Sequence, residues 1–159
     1  MSQPTPDPLI ATLTFYLDNT SPPPGRRKRK FSLPVLPVKK VDHKSNDPRH
    51  FKFEDDGSIT VILNGFEGIV KLIFTLPTNQ LNTETVLVGT VFEEQDCPSA
   101  GRQMFPEINV TRHQKTSYVT ITDTHLQQLD SKTYHYQLLV QQPTKGRLAL
   151  VDPSIRNEP

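Results

Sequence analysis

Three Asp-Pro dipeptides are the parts of this chain with the clearest capacity for a reaction. They are Asp7-Pro8, Asp47-Pro48 and Asp152-Pro153. An aspartate carboxyl can attack its own main-chain carbonyl to form a five-membered anhydride, and the basic proline nitrogen leaves well once it is protonated. Alternatively, the carboxylate acts as a general base on a water that attacks the bond. Both routes cleave the chain after the aspartate, whereas a lysine that reaches the anhydride first gives an Asp–Lys amide.

The three dipeptides differ in their settings. The first two are typical of turns, in which an aspartate and a proline end a strand or start a bend. Asp152 instead directly follows the apolar run Leu148-Ala149-Leu150-Val151. Strand alternation puts Asp152 on the face of Leu148 and Leu150, and a strand end would orient its carboxyl. If that face points into the core, burial raises the pKa of the carboxyl. The sequence therefore predicts a carboxyl that faces the core, or the rim of the core, beside a labile bond.

The histidines and the single cysteine are candidates for a metal site or a nucleophile. His113, His125, His135 and Cys97 have a spacing that fits no compact ligand pattern, so we interpret the histidines as ordinary surface or packed residues. Nothing in the Asp-Cys-Pro setting of Cys97 activates it. The seven glycines are too scattered to form a phosphate-binding loop. The sequence predicts no metal and no other cofactor.

A basic run at residues 26–30 is a candidate for contacts with nucleic acid or acidic lipid. It lies in a Pro-rich stretch, and the net charge of the whole chain is only +1, which argues against nucleic acid as the main partner. We therefore interpret the run as a solvated loop. No stretch approaches the roughly 18 apolar residues of a membrane helix. The N-terminus shows no secretory signal, so the expected location is the cytoplasm.

Apolar and alternating runs separated by turn residues predict a fold made of strands. The predicted strands cover residues 9–18, both sides of a hairpin around Asp55-Asp56-Gly57, 69–76, 86–92, 108–112, 118–122, 133–141 and 147–151. This spacing predicts an all-β protein, a single antiparallel β-sandwich of immunoglobulin-like appearance. The domain spans residues 1–159, and residues 19–48, rich in proline and lysine, are expected to form a long mobile insertion.

The C-terminal residues 151–159 resemble the DP-EP family of small bacterial proteins, which is named for Asp-Pro and Glu-Pro motifs near the chain end. Here these motifs are Asp152-Pro153 and Glu158-Pro159. The resemblance implies a β-sandwich, in agreement with the strand pattern. It also implies self-cleavage at the Asp-Pro bond, an aspartic-peptidase-like activity, and a lysine that can link to the aspartate.

Lys132 is the candidate for that lysine, because it opens the strand before the last hairpin. If this hairpin pairs Gln142 with Arg147, Asp152 lies opposite Gln137. Lys132 is then five residues away, on the order of 16 Å along the strand. Three possibilities stay open: a different register, another lysine, or no cross-link.

Three other acidic residues are candidates for a second carboxylate that positions the attacking water. They are Asp123, Asp130 and Glu158. For each of them the simpler interpretation is an exposed acid in a loop or in the C-terminal tail. The sequence therefore assigns no second carboxylate.

The leading functional hypothesis is a single-turnover reaction in cis, in which the protein cleaves its own chain between Asp152 and Pro153. The C-terminal segment 153–159 would be released, or retained as a noncovalently held peptide. The alternative is an interaction module without chemistry, which docks a protein partner through an exposed sheet face or through the basic loop 26–30. The sequence does not identify such a partner.

Overall fold

The computed structural model describes residues 4–17, 35–77, 85–92, 107–113, 116–124, 132–142, 147–151 and 154–158. In these ranges the strands are β1 (Leu9–Leu17), β2 (Val38–Ser45), β3 (Phe51–Phe53), β4 (Ile59–Ile62), β5 (Val70–Pro77), β6 (Val86–Phe92), β7 (Glu107–His113), β8 (Thr116–Asp123), β9 (Lys132–Gln142), β10 (Arg147–Val151) and β11 (Ser154–Glu158), and a 3-10 helix spans Pro48–His50. The predicted all-β fold is confirmed. No helix in the described ranges is long and apolar enough to span a membrane.

The strands form two sheets that share one core. The first has the order β2-β1-β5-β8-β7, and the second has the order β10-β9-β11-β4-β3, with β6 also paired to β9. Two pairs are parallel, β1 with β5 and β4 with β11. The expectation of a wholly antiparallel sandwich is therefore wrong at these two places. In both pairs the partners are far apart in the sequence, as the crossover connection of a parallel pair requires.

Side-chain alternation explains how the two sheets enclose the core. Every second residue of β1, from Leu9 to Leu17, is buried. The ring centroids of Phe15 and Phe74 lie 6.1 Å apart in the first sheet. Ile59 and Ile155 of the second sheet belong to the same buried cluster. Removal of this apolar area from water is the main favourable contribution to folding.

The predicted hairpin at residues 55–57 is confirmed and joins β3 to β4. The Ser58 backbone N–H donates to the side chain of Asp56 at 2.8 Å. Gly57 has a φ of +91°, in the left-handed region that favours glycine. A Cβ at this position would lie 2.4 Å from Cε1 of Phe15. The hairpin therefore packs directly against the core near the end of β1.

The predicted insertion at residues 19–48 is wrong in its second half. Residues 38–45 form β2, which pairs with β1 at the edge of the first sheet. Leu36 is also buried. The lysines that make this segment resemble a loop suit an exposed edge strand, because charged edge residues oppose pairing with other chains. Residues 18–34, which include the basic run 26–30, lie outside the described residues.

Candidate functional site

β10 and β11 pair with the same strand, β9, on either side of the predicted reaction site. β10 is antiparallel to β9, and Arg147 lies opposite Gln142. This pairing confirms the hairpin register inferred from the sequence. β11 is antiparallel to β9 as well. Asp152 and Pro153 come between the two strands in sequence and lie outside the described residues.

The register on β9 is the same before and after the Asp-Pro bond. Val151 lies opposite Leu138, and Ser154 lies opposite His135. The number of residues between Val151 and Ser154 therefore equals the number between His135 and Leu138. The residues on both sides of the bond therefore pair with β9 in one continuous antiparallel register.

β11 is a strand that the sequence did not predict. It lies within the second sheet, antiparallel to β9 and parallel to β4. Ile155 is fully buried and lies opposite Ile59. The Leu63 backbone N–H donates to the carbonyl oxygen of Glu158 at 2.8 Å. The C-terminal segment is therefore an interior strand with hydrogen-bonded neighbours on both sides, and not a tail after the last strand.

The prediction of a core-facing Asp152 rests on a premise that the structure contradicts. Leu148 is 40% exposed and Leu150 is half-buried, whereas Ala149 and Val151 are buried. The run is apolar on both faces, so its pattern does not show which face meets the core. Ala149 and Val151 face the core because they lie opposite buried residues of β9. The face of β10 that Asp152 was predicted to share is therefore not the buried one, and burial gives no reason to expect a raised pKa for Asp152.

The backbone of Lys132 lies opposite Asn157, near the far end of β11. Three residues of β9, about 10 Å, separate it from His135, the partner of Ser154. The observed register is therefore the one inferred from the sequence, in which Lys132 lies away from the Asp-Pro bond. A cross-link between Lys132 and Asp152 stays a prediction, and this register disfavours it.

Two of the other candidate acids are described, and both lie at the ends of strands rather than in a loop or a tail. Asp123 is the last residue of β8, is fully buried and lies opposite Val70. Glu158 is the last residue of β11, with its Oε1 3.1 Å from Nε of Arg156. Four residues of strand, about 13 Å, separate Glu158 from Ser154. Glu158 is therefore a structural residue of the sheet.

Asp123 lies far from the Asp-Pro junction. Asp123 pairs with Val70 of β5, and Val70 pairs on its other side with Leu9, the first residue of β1. Phe15, near the other end of β1, contacts Gly57, which leads into β4 beside β11. Six residues of strand, about 20 Å, separate Leu9 from Phe15. The structure therefore does not bring Asp123 to the predicted reaction site.

The second Asp-Pro dipeptide, Asp47-Pro48, caps the 3-10 helix. In the Arg49 guanidinium, Nε donates to Oδ1 of Asp47 at 3.0 Å and Nη2 donates to Oδ2 at 2.9 Å. The backbone N–H of Arg49 also donates to Oδ1, at 3.2 Å. These hydrogen bonds, the side-chain pair above all, lower the pKa of Asp47 from 3.8 to about 2. Because both carboxylate oxygens are bound, we expect the Asp47-Pro48 bond to stay intact.

His50 connects this helix to β4. Its Nδ1 is 2.7 Å from the carbonyl oxygen of Ile62, and this nitrogen donates because a carbonyl oxygen can only accept. Its Nε2 then faces Oδ2 of Asp47 at 3.9 Å. The ring packs against Phe66 with a centroid distance of 5.8 Å. The group around Asp47 is therefore structural.

The lowered pKa of Asp47 predicts a dependence of stability on pH. A carboxyl whose pKa is lower in the folded state stabilises the fold above the unfolded value of 3.8, and this contribution is lost as pH falls through about 2. Asp47→Asn keeps a good N-cap residue but removes the charge. We expect this variant to be slightly less stable than wild type at neutral pH, and we expect this difference to shrink as pH falls toward about 2.

Urea unfolding at a series of pH values measures this difference. In an Arg49→Gln background, Asp47→Asn should cost little at any pH, because the partner of the carboxylate is already absent. A stability difference between wild type and Asp47→Asn that persists undiminished at about pH 2 contradicts the assignment.

A shallow polar cavity of about 350 Å³ lies on the outer face of the second sheet. β11 contributes Arg156 and Glu158 to its wall, and Lys52, Glu54 and Thr60 come from β3, the hairpin turn and β4. The mixture of both charges is typical of a solvated sheet surface. Since β11 provides part of this wall, the cavity depends on β11 being in place.

The two described histidines among the remaining candidate residues lie in different sheets. His113 belongs to β7 of the first sheet, and His135 belongs to β9 of the second. Cys97, His125 and Asp130 lie outside the described residues. In the part of the chain that the structure describes, no three His, Cys, Asp or Glu side chains form a group that could hold a metal ion.

No protein-family model matches the chain, and no curated protein is significantly similar to it.

Proposed function

We propose that this protein cleaves its own chain once, in cis, between Asp152 and Pro153 and retains the C-terminal segment as β11. The observation that carries the proposal is the shared register, in which Val151 and Ser154 are both paired with β9. Holding the reacting groups in one geometry lowers the entropic cost of an intramolecular attack. The resemblance of residues 151–159 to DP-EP proteins supports the same reaction.

The proposed reaction uses only groups of the chain and water. A carboxyl oxygen of Asp152 bonds to the main-chain carbonyl carbon of the same residue, and the bond from this carbon to the Pro153 nitrogen breaks as the nitrogen takes up a proton. This step leaves a cyclic anhydride on Asp152 and a free secondary amine on Pro153. Water then opens the anhydride and restores two carboxyl groups. The net reaction is the hydrolysis of one peptide bond.

Removal of the Asp152 carboxyl should leave the chain uncut. Because the Pro153 nitrogen must be protonated to leave, we expect cleavage of wild type to be faster in mildly acidic than in neutral solution. Under these conditions Asp152→Asn and Asp152→Ala should cleave at least about 100-fold more slowly. Mass spectrometry under denaturing conditions measures the fraction of chains that has lost residues 153–159.

Asp7-Pro8, whose aspartate is exposed, is the internal control for ordinary acid hydrolysis of an Asp-Pro bond. The proposed reaction leaves this bond intact while the bond after Asp152 is cut, and it stops when the protein is unfolded in urea. The proposal fails if wild type and Asp152→Asn both stay at full length across mildly acidic pH. It also fails if both dipeptides are cleaved equally.

A second candidate function is an interaction module without chemistry. It is favoured by exposed apolar residues on the outer face of the second sheet: Val35 is 50% exposed and Leu148 is 40% exposed. Val35 is bridged to Leu150, which lies two residues from Leu148, so these side chains are neighbours. Clustered exposed apolar residues are typical of interaction surfaces. In this function the chain stays at full length, and Asp152→Asn has no effect.

A further inference from the structure

β11 is held in the second sheet as a sheet holds a bound peptide. Its backbone pairs with β4 on one side and with β9 on the other. Ile155 is fully buried, whereas its neighbour Arg156 is exposed. In β-strand addition, main-chain pairing provides affinity and pockets for alternate side chains provide specificity. The contacts of β11 have both of these properties.

β11 is joined to β10 through the Asp152-Pro153 bond alone. Once this bond is cut, every interaction that holds residues 153–159 is noncovalent. The strand slot, which we define as the facing edges of β4 (Ile59–Ile62) and of residues 132–135 in β9, then contains a separate peptide. A bound peptide is replaceable whenever it dissociates more rapidly than the protein unfolds.

We propose that the strand slot is a peptide-binding site whose ligand is the C-terminal segment 153–159 of a second copy of this chain. Cleaved molecules would thus exchange their last strands. In the native protein this exchange rests on the proposed self-cleavage, because an intact chain keeps its own strand tethered. The slot itself depends only on the pairing of β11 and on the buried position of Ile155.

Ile155 is the residue that selects the ligand. Its side chain is 0% exposed, and Ile59 opposite it is 1% exposed, so the pocket is closed to water. Loss of such a side chain to alanine should weaken binding at least about 30-fold. The Arg156 side chain is about half exposed and its ion pair is with Glu158 of the same strand. Arg156→Ala should therefore change affinity by no more than about fivefold.

Exchange can be measured without relying on self-cleavage. A specific protease site is inserted between Asp152 and Pro153, the full chain is folded and purified, and the protease then cuts it. An excess of isotope-labelled heptapeptide with the sequence of residues 153–159 is added. Native mass spectrometry follows replacement of the original segment by the labelled one. Peptides carrying Ile155→Ala or Arg156→Ala compete with the labelled peptide, and the uncut protein is the control.

We expect the labelled peptide to enter the cut protein and not the uncut protein. The Arg156→Ala peptide should compete nearly as well as the natural sequence, and the Ile155→Ala peptide should compete poorly. The proposal is overturned if the segment leaves and no peptide returns, if the segment stays and never exchanges, or if the Ile155→Ala peptide competes equally. Since the protease makes the cut, none of these results bears on whether the protein cleaves itself.

Discussion

Replacing Gly57 with alanine should lower the free energy of unfolding by about 3 kcal/mol. Two costs contribute. An alanine at a φ of +91° carries a strain of about 1–2 kcal/mol. The added Cβ would also lie 2.4 Å from Cε1 and 2.6 Å from Cζ of Phe15, so that the ring must move.

The Phe15 ring has little freedom to move. Its side chain is 1% exposed, and it packs against Phe74 at 6.1 Å. Displacement of a ring in a close-packed core strains its neighbours and costs about 1–3 kcal/mol. Because the hairpin leads into β4, the neighbour of β11, Gly57→Ala should also loosen the strand slot.

Gly65 provides a matched control for the backbone strain. Its φ is +80°, but no atom lies within 4 Å of the position that its Cβ would occupy. Gly65→Ala should therefore cost only the strain, about 1–2 kcal/mol. Urea denaturation of both variants measures the difference. Equal destabilisation of Gly57→Ala and Gly65→Ala would show that Phe15 does not obstruct the added methyl group.

A chain synthesised without residues 153–159 should lose at least about 4 kcal/mol of stability and accumulate poorly as folded protein. The truncation removes the buried Ile155 and leaves the facing edges of β4 and β9 without a partner. A loss of this size is a large part of the 5–15 kcal/mol that is typical of a domain. Cleavage of the Asp152-Pro153 bond after folding should lower the stability much less than this truncation, because β11 stays in place.

Soluble yield and urea denaturation compare the truncated chain with wild type. A chain that lacks only Pro159 is the control, since this deletion leaves all of β11 present. If the chain that ends at Asp152 is as stable as the control, β11 is not an integral strand. The retention of the cleaved segment would then have no structural basis.

The strands that were predicted correctly are those with a strong local pattern. β1 buries every second residue from Leu9 to Leu17, and its alternation is visible in the sequence. The hairpin at residues 55–57 was predicted from its turn residues, which form the hydrogen bonds expected of them. In both cases the neighbouring residues alone contain the information that specifies the structure.

β2 and β11 were missed because their partners, and not their own residues, make them strands. Three of the eight residues of β2 are lysines, which suit an exposed edge. β11 contains one apolar residue, Ile155, which gives no alternation. The sequence contained one signal for β11. The predicted strand 133–141 is longer than the predicted strand 147–151, so about half of strand 133–141 lacked a partner. The residues after Pro153 are the next in register to fill it.

The candidate site was predicted in part. The register of Gln142 with Arg147 is confirmed, and with it the separation of Lys132 from the junction. The predicted orientation of β10 was wrong. Leu148 and Val151 are both apolar, and only the buried residues of β9 decide which of them faces the core. The partner strand therefore decides which residues of β10 face the core, and the sequence of β10 alone does not show it.

The proposed self-cleavage cuts the chain between Asp152 and Pro153 and leaves the last strand bound. Mass spectrometry of one folded wild-type sample, after incubation at mildly acidic pH, tests it under denaturing and native conditions. We predict two denatured species, residues 1–152 and residues 153–159, and one native species with the mass of the full chain plus one water. A single full-length chain under denaturing conditions would contradict the cleavage, and a native species without the heptapeptide would contradict its retention.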